Sequence, residues 1–144
     1  MKIDEVDLKI INFLEENGRM TNKEMAAKLS LSEGTIRNRI NKLVSNNFLK
    51  VKGLTNPSAR TDKQIVYILV KVPLHKGWDQ TGRRISEIPE VKSVSLLTGR
   101  FDLLVEVFIE PSRLVDFINE KLGSIKSIDS TESLISVKHY NKWI

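Results

Sequence analysis

The spacing of hydrophobic positions changes near residue 48. Before it, apolar residues return every three or four positions. Ile3, Leu8, Ile11 and Leu14 outline a first helix, opened by Asp4 as N-cap and closed by Gly18. TNKE (21–24) reads as a capping box, with Thr21 as N-cap, Glu24 at N3, and Met20 and Met25 at the hydrophobic-staple positions. Ser32 repeats the arrangement for a third helix, with Leu31 and Ile36 as its staple pair. Only Ser30 and Leu31 separate the second helix from that cap. Two capped helices joined by so short a turn must cross steeply, which is helix-turn-helix geometry.

After residue 48 the pattern is that of strands and short amphipathic helices. FLKVKGL (48–54) reads as a strand, followed by a loop over 55–63. IVYILVKV (65–72) is nearly all apolar, as a central strand covered on at least one face would be. A helix is expected over 77–88, with Trp78, Thr81, Ile85 and Ile88 on one face and Pro89 closing it. Strands are expected at 91–98 and 102–109 around the turn GRF. A further helix should run over 112–123, capped by Ser112 and stopped by Gly123, and a last strand over 128–140. The order β-α-β-β-α-β suggests a ferredoxin-like sandwich of antiparallel sheet and two helices. A short echo supports it: Ile88, Val91 and Ser93 return 37 residues later as Ile125, Ile128 and Ser130. The predicted class is α+β. It comprises a winged or plain helix-turn-helix domain (1–47), a linker strand and loop (48–64), and a ferredoxin-like βαββαβ domain (65–144).

Charge sharpens this picture. Residues 1–18 hold two Lys against five Asp/Glu, residues 19–63 ten Lys/Arg against three, and residues 64–144 eleven against ten. The net charge of +5 is thus an excess in the middle third, as expected of a segment that meets a polyanion. The chain has no cysteine, which excludes disulfides and thiolate metal sites. Its longest apolar run, 65–70, is too short to span a bilayer, and acidic residues interrupt the N-terminus where a signal peptide would be apolar. A cytoplasmic protein is the expectation.

The helix over 32–45 concentrates the interest. At 100° per residue Ile36, Ile40 and Leu43 converge on one direction with Val44 at its edge, while Arg37 and Arg39 fall about 80° to either side. The opposite face collects Gly34, Thr35, Asn38, Asn41, Lys42 and Ser45. Glu33, in the first turn, is the helix's one acid. Small polar groups on an outward ridge with cations along both flanks suit a DNA major groove, where amides and hydroxyls reach base edges and cations meet phosphates.

These residues carry a resemblance. Ile11, Leu14, Asn17, Gly18 and Arg19, then Leu31, Ser32, Thr35, Ile36, Arg39, Ile40 and Leu43, resemble the N-terminal domain of the Lrp/AsnC family, the feast/famine transcription regulators. Pro89-Glu90-Val91, TGRFDLLV (98–105), and Ile128, Thr131 and Ser133 resemble its effector and oligomerisation domain. Asn47 stands where the family usually has glycine, a substitution that a left-handed helix end tolerates.

The resemblance implies a homodimer built through the linker strand at 48–54, assembling into a tetramer or octamer and bound to double-stranded DNA. It implies base contacts from Thr35, Asn38 and Lys42, with Ser32 and Gly34 admitting close approach, and phosphate contacts from Arg37, Arg39 and Lys50. Arg39 has a second reading, as an internal brace of the helix-turn-helix. A small-molecule effector, such as an amino acid, is implied at the interface between dimers, against Thr98, Gly99, Arg100, Phe101 and Asp102, with the hydroxyls of Thr131 and Ser133 nearby. Gly99 and Asp102 also have a purely conformational reading as turn residues. Two alternative functions stand beside this one: an effector-independent architectural DNA-binding protein, and a tetrapyrrole decarboxylase on a similar fold. His75 and His139 have no recognisable partner motif for the second. No enzyme activity, metal site or cofactor is expected.

Overall fold

The computed structural model describes residues 2–74 and 77–144, in two compact units, Met1–Gly53 and Leu54–Ile144. The boundary falls inside the expected linker.

The first unit is three helices: α1 (Glu5–Glu16), α2 (Asn22–Leu29) and α3 (Glu33–Ser45). Each start is fixed by a side chain. Asp4, Thr21 and Ser32 accept hydrogen bonds from the backbone N–H of Asp7, Glu24 and Thr35 respectively. The first two are reciprocal capping boxes; that at Asp4 and Asp7 uses a second aspartate where Glu or Gln is usual. α1 ends at Asn17, in extended conformation, so Gly18 lies in the following turn rather than at the cap. Ile10, Met25, Ala26, Ile36 and Leu43 form the buried core of the unit, with Ile40 partly buried against it.

Two of the helices end without glycine. Ser30 (φ 54) and Asn47 (φ 58) occupy the left-handed region. After α2, the Leu31 N–H reaches the Ala26 carbonyl; after α3, the Phe48 N–H reaches that of Leu43 and the Asn47 N–H that of Val44. These bonds satisfy carbonyls that the helix ends leave open, in the Schellman manner. No strand occurs among the described residues of this unit, so the helix-turn-helix is plain rather than winged. Residues 48–54, expected as a strand, form none within the chain, because no segment offers them a ladder of hydrogen bonds. Just beyond, Thr55 and Ile144 exchange two backbone bonds of 2.9 and 3.1 Å.

The second unit carries the antiparallel sheet. Its strands are β1 (Gln64–Lys71), β2 (Val91–Leu96), β3 (Leu103–Ile109) and β4 (Ser130–Ile135), in the order β2-β3-β1-β4. With the helix α4 (Trp78–Ser86) after β1 and a second helical segment after β3, this is the ferredoxin-like βαββαβ arrangement. Val66, Ile68, Val70 and Val72 alternate onto the buried face, as do Leu103, Val105, Val107 and Ile109, to which Ile85 and Phe117 add.

The second helix differs from expectation. It begins as a 3₁₀ turn (Pro111–Arg113), makes one α turn (Leu114–Asp116), and widens to a π-helix (Phe117–Leu122). Ser112 sits inside the first turn and does not cap it. Gly123 has ordinary helical φ; its lack of a side chain matters because a Cβ there would collide with the Asn119 carbonyl oxygen. The last strand stops at Ile135, short of the expected residue 140, leaving His139 outside it with Nδ1 3.1 Å from Ser136 Oγ. His75 lies outside the described residues. The sequence echo is a structural one: the Val91 N–H donates to Ile88 O and the Ile128 N–H to Ile125 O, the same turn before β2 and before β4.

Candidate nucleic-acid interface and effector recess

α3 is held inward by Ile36 and Leu43, both without solvent exposure. Gly34, Arg37, Asn38, Asn41, Lys42 and Ser45 are exposed, and Thr35 is half-buried. Val44, at the edge of the apolar stripe, is 45% exposed. Ser32 Oγ accepts from the Thr35 N–H at 3.1 Å and lies 2.8 Å from Thr35 Oγ1. The cap therefore fixes the Thr35 hydroxyl at the amino end of the exposed ridge. Lys50, after the helix, is also exposed.

Arg39 is placed differently from Arg37. Its Nη1 donates to Asp4 Oδ2 at 2.7 Å and to Asp7 Oδ1 at 2.8 Å, tying the middle of α3 to the first turn of α1. Asp7 is only 3% exposed. The guanidinium beside Asp4 holds its carboxyl below the usual carboxylate range, and the two carboxylates together raise the Arg39 pKa further. The geometry is that of the internal brace.

In the second unit, Thr98, Gly99 and Asp102 line a recess of about 350 Å³ together with Trp78, Leu96 and Leu97. Gly99 takes φ +133, a conformation that side chains rarely adopt. Asp102 Oδ2 accepts from the Val72 N–H at 2.8 Å, its backbone N–H donates to Val70 O, and the Lys71 ammonium is 3.2 Å away. The Val72 bond, with Lys71 behind it, lowers the Asp102 pKa from 3.8. Arg100 lies outside the recess, its guanidinium 5.5 Å from the Phe101 ring centre. Thr131 lines a different recess, of about 310 Å³, with Ile118 and Ile128. Thus the chain brings together Thr98, Gly99 and Asp102 but not Thr131 or Ser133.

Sequence spacing alone does not mark Trp78 as a candidate site residue. On α4 it reads as one more apolar position, yet its Nε1 donates to Val72 O at 3.1 Å and its ring walls both this recess and an adjoining groove of about 550 Å³. Asp4 and Asp7 were missed as partners of α3, since a first-turn acid is unremarkable in any helix.

Comparison with known proteins decides the lineage. Residues 3–44 match the AsnC-type helix-turn-helix domain and residues 65–142 the Lrp/AsnC ligand binding domain. The chain belongs to the Lrp/AsnC family. It is a transcription regulator of that type, with a DNA-binding and a ligand-binding domain. An uncharacterized HTH-type transcriptional regulator of Pyrococcus furiosus is 34% identical over 98% of this chain and 95% of its own length. A Neisseria meningitidis transcriptional regulator, solved as a complex with L-Met, is 25% identical with a TM-score of 0.67, over 97% of this chain and 95% of that one. The leucine response regulatory protein of Mycobacterium tuberculosis, 20% identical, shares the fold at a TM-score of 0.81 over 97% and 96% of the two chains. No helix among the described residues of this Lrp/AsnC protein is long and apolar enough to cross a membrane.

Proposed function

We propose that this Lrp/AsnC protein reads operator DNA through α3 and adjusts its binding to a small molecule such as an amino acid. The observation that carries the proposal is the exposed ridge of α3, where Gly34, Asn38 and Lys42 face solvent and Ser32 orients Thr35. In this reading Thr35, Asn38 and Lys42 meet base edges, and Arg37 and Lys50 meet phosphates. A homodimer formed through residues 48–54 presents two such helices to half-sites one helical turn, or a multiple, apart. The protein works in the cytoplasm and catalyses no reaction.

The effector reading rests on the recess at Thr98 and Gly99. The exposed turn leaves backbone N–H groups for a ligand carboxylate, and Trp78, Leu96 and Leu97 offer apolar walls for a side chain. Asp102 is held by Val72 and Lys71, which fixes its carboxylate at the edge of the recess. The Neisseria relative's L-Met fits this chemical class.

DNA titrations at several salt concentrations test the first part. Asn38→Ala should cost roughly 1–3 kcal/mol on the operator and little on random DNA. Lys50→Ala should weaken both alike and reduce the salt slope by about one. Equal losses on both DNAs for Asn38→Ala would remove it from the base readers. Thermal shift with each of the twenty amino acids tests the second part: a ligand at 100 times its Kd adds about 2.7 kcal/mol. Twenty unchanged melting curves would end the effector reading.

A further inference from the structure

We propose that Arg39 is a positioning residue: clamped by Asp4 and Asp7, it fixes the angle of α3 against α1 and so governs sequence discrimination without touching DNA. The inference rests on the reading of α3 as the recognition helix.

The clamp divides its atoms completely. Asp4 Oδ1 accepts from the Asp7 N–H at 2.8 Å and Asp7 Oδ2 from the Asp4 N–H at 3.2 Å, which closes the cap of α1. The remaining oxygens, Asp4 Oδ2 and Asp7 Oδ1, both take Arg39 Nη1, whose two protons supply one bond to each. One group thus caps α1 and anchors α3. Arg39 sits four residues after Thr35, one after Asn38 and three before Lys42, so any rotation of α3 about this point displaces all three. A displacement of about 1 Å is enough to undo oriented contacts.

Charge argues against a phosphate at the same place. One guanidinium against two carboxylates leaves a net −1, and Asp7 is buried where its field is poorly screened. A phosphate near Arg39 therefore meets a group of its own sign. Arg37 and Lys42 have no such neighbours among the described ion pairs.

Three variants of the full chain separate a clamp from a phosphate contact. For the clamp, Arg39→Ala and Arg39→Lys should each lower the operator-to-random affinity ratio by about tenfold or more while leaving the salt slope unchanged. Lysine keeps the charge, but its ammonium ends one bond short of the position that Nη1 holds between the two carboxylates. Asp7→Asn should lower the ratio in the same direction, with random-DNA binding equal or slightly tighter. For a phosphate contact, Arg39→Ala would weaken both DNAs equally and cut the slope by about one, Arg39→Lys would restore both, and Asp7→Asn would tighten both. Any of these three results overturns the proposal. A measurement without DNA stands beside them: amide exchange of residues 5–16 and 33–45 in the two single variants and in Arg39→Ala/Asp7→Asn. The clamp predicts that the double variant loses little more protection than either single one, whereas additive losses overturn it. If the wild-type protein shows no operator preference, the regulator reading fails on its own evidence and the exchange cycle still decides the clamp.

Discussion

Replacing Ser30 by glycine should stabilise the DNA-binding unit, and replacing Asn47 should do so much less. Both residues are left-handed, at φ 54 and φ 58, and both follow a helix of the first unit. For an ordinary L-residue this conformation costs about 1–2 kcal/mol, because Cβ crowds the following carbonyl; Asn tolerates it better than most. Glycine removes that strain. It also widens the freedom of the unfolded chain, which takes back roughly 0.4–1 kcal/mol. For Ser30→Gly the difference is a net gain of about 0.7 kcal/mol, which raises the Tm of so small a unit by roughly 3–6 °C. For Asn47→Gly the two effects nearly cancel. Trp78 and Trp143 both lie in the second unit, so tryptophan fluorescence does not follow this change. Far-UV circular dichroism does, since α1, α2 and α3 hold 12, 8 and 13 helical residues. Loss of stability in Ser30→Gly, or a larger gain in Asn47→Gly, would refute the assignment of strain.

The other outcomes concern caps, titration and packing. Thr21→Ala removes the α2 capping box and should cost about 1 kcal/mol in urea denaturation followed at 222 nm. Asp102, its pKa lowered chiefly by the Val72 N–H, should contribute stability in full above its ordinary 3.8 and lose it as pH falls through the lower folded value. Asp102→Asn should therefore flatten the acid limb of stability below pH 3.8; an unchanged limb would show that the carboxylate bond is not held in solution. Ile85→Ala, at a site with no solvent exposure, should cost 2–5 kcal/mol by tryptophan fluorescence while the first unit melts as before.

The helix-turn-helix was legible because its signals are local. Asp4, Thr21 and Ser32 announce helix starts within four residues of the bonds they make, and Ile36, Ile40 and Leu43 set the inward face of α3 by spacing alone. The helix ends were harder to read: Asn47 stood out at a left-handed end only through the resemblance, and serine at position 30 carries no such signal. The strand order followed from the alternation of apolar runs with helical segments. The winding of residues 111–122 did not, because the π-helix depends on how close Gly123 can come to Asn119.

Two sites lay beyond local signals for the same physical reason. Arg39 falls on the flank of α3, and that position serves a brace or a phosphate contact equally well. What separates the two readings is the partner, and Asp4 and Asp7 lie 35 and 32 residues away in sequence. The proposed effector recess is likewise assembled from Trp78 on α4, the end of β2, and the turn before β3. Its glycine and aspartate were visible as turn residues, but the aromatic wall was not, since Trp78 carries the spacing of a core residue. The Asp102 contacts show how the loop is built: Val72 and Lys71 take the carboxylate, and Gly99 turns the chain around it. On the proposed reading, specificity for the effector comes from the walls and the free backbone groups. Exchanging Trp78 for a smaller aromatic residue should alter which amino acid shifts the melting curve, whereas exchanging Asp102 should lower stability and leave that preference alone.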